Sequence, residues 1–251
     1  MENFIYGRNA VTELLSDGKR SVSRILILKT AHNNPKIDKI IELAKDKRIV
    51  FQFLDKDKFI KYSDYPHQGV IAFVSPVKFT DFETFISKKS KNQFKRAVIT
   101  DGIEDPNNMG SIIRTAVCAG FDAVIFPLRR NSSITPAVEK ASAGAVNYID
   151  LVAVSSLAPI IDKLKNSGFW TIAADIRAKD NYYGIDYCGM NFALIIGSEQ
   201  KGISSSILKQ ADYKVKIPMA AGFNSLNAAN AASILMYESV KQIMQKSSNV
   251  V

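Results

Sequence analysis

Three short stretches of this chain gather side chains able to hold an anion, orient a hydroxyl or accept a proton. Each is bracketed by glycine or proline. The first runs Asp101-Gly102-Ile103-Glu104-Asp105-Pro106-Asn107-Asn108-Met109-Gly110 ahead of a helical pattern, Ser111 to Ala119. Asp-Pro, and an Asn pair before Gly, are turn chemistry, so a loop and a helix start is the plain structural reading. Arg114 goes further. Ile112, Ile113, Ala116 and Val117 form the packing face and Arg114 lies beyond its edge. A cation near a helix's amino end is disfavoured by the macrodipole. A residue that breaks a local rule beside a strand's carboxyl end is a candidate for binding or stabilising negative charge.

The second stretch is Leu194-Ile195-Ile196-Gly197-Ser198-Glu199-Gln200-Lys201-Gly202-Ile203-Ser204. Gly197 and Gly202 have the spacing of a phosphate-binding loop, but that loop needs Lys directly after the second Gly, and Ile203 stands there. A nucleoside-triphosphate hydrolase is excluded on that residue. No G-x-G-x-x-G follows a strand, so a dinucleotide site has no support. What remains is a glycine-permitted turn with a carboxylate, Glu199, where a helix dipole also favours an acid. The third stretch is Lys216-Ile217-Pro218-Met219-Ala220-Ala221-Gly222-Phe223-Asn224-Ser225-Leu226-Asn227. Pro218 ends a strand, and Ser225 or Asn224 suits the N-cap of the helix that follows. The two cysteines, Cys118 and Cys188, have no Cys-x-x-Cys spacing and no His partner. A structural zinc site or disulfide framework is therefore excluded, and a reducing cytoplasm fits.

These stretches need a frame. Apolar runs at Ala97–Thr100, Ala123–Phe126, Ile149–Ala153, Trp170–Ala174, Phe192–Ile196 and Tyr213–Ile217 alternate with helical patterns. The helices are expected at Ser111–Ala119, Pro136–Ala143, Leu157–Asn166, Ser204–Gln210 and Leu226 to about Gln245. Continuous apolar strands between helices predict an α/β fold with a parallel sheet covered on both faces. Ligands of such sheets bind outside the carboxyl ends of the strands, which is where the three stretches fall. Ahead of this body, short helices near Asn9–Leu15, Pro35–Ala44 and Asp55–Tyr62 alternate with strands at Arg24–Leu28, Ile49–Phe53 and Gly69–Val74. The expected division is an amino-terminal domain at 1–76, a linker at 77–95 with a short helix around Asp81–Ile86, and a body at 96–251.

The 251 residues carry 33 Lys and Arg against 24 Asp and Glu, a net charge of +9. The excess is uneven: residues 1–95 hold 18 basic and 11 acidic side chains, +7, and the rest only +2. An anion-seeking front on a nearly neutral body is one reading, and a solubilising surface is the other. No apolar run reaches the roughly 18 residues of a membrane helix, and the opening Met1-Glu2-Asn3-Phe4 lacks a signal-peptide layout.

Together and in this order, the three stretches resemble the SpoU branch of the SPOUT methyltransferases, the TrmH-like RNA 2′-O-ribose methyltransferases. The carriers are Asp105-Pro106-Asn107-Asn108-Met109-Gly110 with Arg114, Ile196-Gly197-Ser198-Glu199 with Gly202, and Ile217-Pro218-Met219 with Ser225-Leu226-Asn227. Lys140-Ala141-Ser142-Ala143-Gly144-Ala145 also looks like the family. Tyr6-Gly7-x-x-Ala10-Val11 and His67-Gln68-Gly69-Val70 are similar to the substrate-binding domain of guanosine-2′-O-methyltransferases of 23S ribosomal RNA, which looks like a small RNA-binding ribosomal protein.

The resemblance implies a C-terminal trefoil knot and a homodimer whose active site is completed across the interface. It also implies S-adenosyl-L-methionine held by Gly197, Ile217 and Leu226 with Met219 as a neighbour, and an RNA substrate, ribosomal or transfer. Arg114 would act on the attacking 2′-hydroxyl or its phosphate. Asn108, Ser225 and Asn227 would orient ribose or arginine, and Glu199 would pair with Arg114. No metal and no membrane are implied. Phe223-Asn224 and Ala228-Ala229-Asn230 depart from the family pattern, which bears on the shape of the third loop.

Overall fold

The computed structural model describes residues 3–128, 134–220 and 225–248, and they divide into two units. The first unit comprises Met1–Val77 together with Ile134–Asn147, and the second Lys78–Ser133 with Tyr148–Val251.

Continuous apolar runs, buried on both faces, make the centre of the first unit's sheet. Its elements are Phe4–Tyr6 (β1), Arg8–Asp17 (α1), Val22–Leu28 (β2), Pro35–Asp46 (α2), Val50–Leu54 (β3), Lys56–Phe59 (α3) and Val70–Val74 (β4). The order is β1-β4-β2-β3, with β2 and β3 parallel and the other pairs antiparallel. Helix α2 begins where its chemistry dictates: Asn34 accepts from the Lys36 amide and Pro35 occupies the first turn, where its missing N–H costs nothing. One face of the sheet buries Val11, Leu14, Ile25, Ile27, Ile37 and Ile40 under α1 and α2. The other buries Tyr6, Leu26, Phe59, Tyr62, Ile71 and Phe73. Strand β1 has no counterpart in the sequence reading, because three residues show no periodicity to read.

Residues 134–147 were expected in the body by chain position, and they fold instead with the first unit. Their helix, Pro136–Ala141, buries Glu139 against Arg20, with side chains 4% and 6% exposed. Arg20 also donates from Nε to the Ser75 carbonyl at 3.0 Å. Burial raises the Glu139 carboxyl above its ordinary value, and the Arg20 guanidinium opposes that shift. Lys140 donates to the Pro66 carbonyl and lies over the Tyr6 ring.

The second unit continues with Phe82–Ser87 (α4), Arg96–Asp101 (β5), Pro106–Cys118 (α5) and Ala123–Pro127 (β6); the Pro136–Ala141 helix counts as α6. Then come Asp150–Val154 (β7), Ala158–Asn166 (α7), Phe169–Ala174 (β8), Asp180–Asn181 (β9), Asn191–Gly197 (β10), Ser205–Gln210 (α8), Tyr213–Lys216 (β11) and Ala228–Ser248 (α9). The strand order is β7-β6-β5-β10-β8-β11-β9, and every described pairing is parallel. Central β10 is buried from Phe192 to Ile196, as a strand covered on both faces must be. On one face Ile99, Ile125, Val152 and Ile195 pack with Phe85, Ile161, Leu164 and Ile207. Towards the other, α9 packs on α5 and β10, and the Thr115 and Ser233 hydroxyls meet at 3.2 Å.

Helix α5 corrects the sequence reading. It starts at Pro106, not Ser111, because Asp105 caps it: Oδ1 accepts from the Asn107 amide at 2.6 Å and the Asn108 amide at 3.3 Å. Asn108 therefore lies in the first turn and Arg114 in the third, beyond the reach of the dipole effect invoked for it. Among the described residues no helix is long and apolar enough to cross a membrane.

Candidate active site

The loops after β8, β10 and β11 and the start of α9 enclose a cavity of about 380 Å³, of cofactor size. Its shape depends on the turn after β10. Ser198 and Gly202 form an isolated bridge, with the Gly202 amide donating to the Ser198 carbonyl at 2.8 Å. A Cβ on Gly197 would lie 2.2 Å from the Gly202 carbonyl carbon and 2.3 Å from the Ile203 nitrogen. Only glycine permits that approach. Asp101, buried at the end of β5, holds the turn from outside. Its carbonyl accepts from Ser198 N at 3.1 Å and its Oδ2 from Ser204 N at 2.7 Å.

At this end of the sheet three loops are tied by one carboxylate. Glu199 Oε1 accepts from Asn108 Nδ2 at 2.6 Å, Asn227 Nδ2 at 3.1 Å and the Ala228 amide at 3.1 Å. Asn227 Nδ2 also donates to Asn108 Oδ1 at 2.7 Å. Asn227 Oδ1 accepts from the Ala229 and Asn230 amides at 3.0 and 3.2 Å, so Asn227 caps α9. Ser225 does not fill that role, and Asn224 lies outside the described residues. Asn227 outcompetes Ser225 because the helix begins two residues later than expected.

The structure thus brings Asn108, Glu199 and Asn227 together. Gly197, Ile217, Met219, Leu226, Glu199 and Ser225 line the cavity. Arg114 stands apart: it is exposed and has no ion pair among the described residues. The Glu199–Arg114 pair expected from the sequence is absent, because the two asparagines and the Ala228 amide already engage Glu199.

Sequence reasoning misses four contributors, Asp101 and the Asp175–Arg177 loop. Asp101 reads from the sequence only as the start of a loop, although an acid ending a buried strand is a signal. Asp175, Ile176 and Arg177, after β8, also line the cavity, and Arg177 Nε donates to Asp175 Oδ1 at 3.2 Å. They follow the predicted strand Trp170–Ala174, at a carboxyl end where ligands of such sheets bind.

A parallel α/β sheet with a glycine-closed cavity at its carboxyl ends defines a ligand-binding α/β domain, and comparison with known proteins narrows it. The model of the SpoU rRNA methylase family matches residues 95–237, more than half of the chain. A model described as RNA 2′-O ribose methyltransferase substrate binding matches residues 4–80. A Staphylococcus saprophyticus protein whose name assigns it to the TrmH family of tRNA/rRNA methyltransferases is 40% identical over 238 residues, 94% of each chain. A Staphylococcus aureus counterpart is 39% identical over 94% of this chain and 95% of that protein.

Among solved structures, the SpoU methyltransferase AviRb from Streptomyces viridochromogenes superposes with a TM-score of 0.80 at 24% identity. It covers 98% of this chain and 91% of that one. The AdoMet-bound rRNA methyltransferase of Sinorhizobium meliloti gives 0.74 at 20%, covering 96% and 87%. Those identities carry the fold alone. The chain belongs to the SpoU rRNA methylase family.

S-adenosylmethionine is the methyl donor of the family, and AviRb has been solved with it. The residues here fit such a group. Ile196, Ile217, Met219 and Leu226 give apolar walls, and the closed turn from Gly197 to Gly202 forms another side. Among the described residues no group of His, Cys, Asp and Glu could hold a metal.

Proposed function

We propose that this protein methylates a ribose 2′-hydroxyl of RNA, with a guanosine of 23S ribosomal RNA as the target. The observation that carries the reading is the union of Asn108, Glu199 and Asn227 at the carboxyl end of the sheet that holds the cofactor-sized cavity, with an exposed arginine on the same helix as Asn108. Bound S-adenosylmethionine supplies an electrophilic methyl group. Gly197, Ile217 and Leu226 hold it through backbone groups, with Met219 beside them. The attacking hydroxyl must be aligned and must lose its proton.

Arg114 stays protonated at any ordinary pH, so its part is to seat a substrate phosphate and stabilise developing negative charge. Ser225 and the amide groups of Asn108 and Asn227 orient the ribose. Glu199 fixes both asparagines, so it acts through them and not through Arg114. The same reading assigns RNA capture to residues 1–76, a linker role to 77–95 and methyl transfer to 96–251 in a cytoplasmic homodimer. The small residues of α9, with Tyr237 and Met244 exposed on it, suit packing against a second copy. A trefoil knot accords with α9 returning from β11 to lie on α5.

Transfer RNA is the second reading, since the names of the staphylococcal relatives include both substrates. Mass spectrometry of ribose methylation on ribosomal and transfer RNA, from cells with and without the protein, decides between them. Loss of one 2′-O-methyl mark identifies the target. An unchanged set of marks overturns the catalytic reading.

A further inference from the structure

At the opposite end of the same sheet, the amino ends of β5 and β10 and the last turns of α9 enclose a second cavity, of about 510 Å³. Phe94, Tyr187, Phe192 and Ile243 are among its walls, and among the described residues no Asp or Glu lines it. Two cations do: Lys246 and Arg96. Lys246 is exposed and reaches Asp186 only at 3.6 Å.

Arg96 is the unusual one, with 8% of its surface exposed. Of its five guanidinium donors, one reaches the Ala119 carbonyl at 3.5 Å, the limit of a hydrogen bond. The group stacks loosely on Phe121 at 5.8 Å, and no carboxylate lies within ion-pair distance among the described residues. Asp122 is spent on the Arg96 backbone amide at 2.9 Å and on the Ser90 hydroxyl at 2.7 Å. Burial lowers the guanidinium's affinity for its proton, against the pull of Asp122. A largely buried cation without a paired carboxylate attracts an anion that can reach it.

The geometry points to a binding site for a small amphiphilic anion, with a carboxylate on Arg96 and an aromatic or alkyl body against Phe94, Phe192 and Ile243. The volume suits a ligand of that size, and Lys246 at the margin adds a second, weaker attraction. This site is independent of the methyl-transfer reading. Helix α9 serves both ends: Asn227 caps its start, and Ile243 and Lys246 line the second cavity near its finish.

The test is saturation-transfer NMR and thermal shift on the full chain with benzoate and octanoate, using benzamide and octanol as uncharged counterparts. Saturable binding of the carboxylates, about tenfold or more tighter than that of the neutral analogues, is expected from a charge-assisted pair. Ile243→Trp, which fills the cavity, abolishes binding while its circular dichroism melt stays near that of the parent. Lys246→Ala weakens it a few-fold, and Arg96→Gln removes the preference for charge. Equal binding of benzoate and benzamide, unaltered binding by a folded Ile243→Trp, or no saturable binding of either carboxylate overturns the assignment. Should Arg96→Gln fail to fold, the neutral analogues and Ile243→Trp still decide.

Discussion

Family-like signatures occur in both units of this protein, and they are spent differently. In the first unit they are consumed internally. The Arg8 amide donates to Gln68 Oε1 at 3.1 Å and Arg8 Nε to the Gln68 carbonyl at 3.0 Å. The Gly69 amide donates to His67 Nδ1 at 2.9 Å, and a Cβ on Gly69 would lie 2.6 Å from that of Ala31. Gln68 itself is held at φ +53°, a conformation that costs of order 1 kcal/mol and must be compensated by its surroundings. In the second unit the signature residues tie loops together at the edge of an open cavity, and Arg114 is exposed with no ion pair among the described residues. A motif can mark architecture or chemistry, and only the partners of its side chains separate the two.

The sharpest test of that contrast removes one side chain from each unit. Glu139→Ala strands Arg20 as a buried, unpaired cation, which costs about 3–5 kcal/mol; urea unfolding followed in the first unit should show it. Arg114→Ala should leave stability and S-adenosylmethionine affinity unchanged while turnover falls about 10²–10³-fold, the usual cost of losing a charge stabiliser. Calorimetric titration and single-turnover methylation separate these. A wild-type rate in Arg114→Ala breaks the comparison, as would a Glu139→Ala protein that melts like the parent.

Asn227 belongs to both categories, so its replacement sharpens the line between them. Asn227→Ala loses the α9 cap, worth about 1 kcal/mol, and also a donor to Glu199. Asn227→Ser restores the cap but not that donor. Stability should recover in the serine variant and methylation should not. Recovery of both would mean the residue serves the helix alone.

The smallest effect concerns pH. Burial lowers the His67 imidazole from its ordinary value of 6.5, and its neutral Nδ1 accepts from the Gly69 amide. The folded state therefore favours the neutral form. This contribution is complete above 6.5 and is lost as pH falls through the lowered value. It is worth no more than about 1 kcal/mol. His67→Asn, which keeps an acceptor without a titrating group, should flatten the acid side of the stability profile; a profile as steep as the parent's argues against the assignment.

Much of this was legible in the sequence. Phe192–Ile196 is apolar without interruption, which only a strand buried on both faces tolerates, and the three loops announced themselves by glycine, proline and asparagine. The start of α5 was not legible, since Asp105-Pro106 serves equally as a turn and as a cap with proline in the first turn. Strand order was hidden as well, because placing β10 between β5 and β8 rests on contacts between distant residues. The same holds for Glu199, whose partners Asn108 and Asn227 lie 91 and 28 residues away. Spacing told which residues were present at strand ends. It did not tell which would bond to which.

The pairing of Arg20 with Glu139 has a consequence for biosynthesis. The partners are 119 residues apart, and the first unit is interrupted by elements of the second. At roughly 5–20 residues per second of translation, Glu139 follows Arg20 out of the ribosome by about 6–24 seconds. Through that interval the Arg20 guanidinium lacks its carboxylate, and the Ser75 carbonyl, 55 residues downstream, is the partner that reaches it first. The first segment to be synthesised is thus among the last to be finished, closing only after α5 and β6 have also emerged.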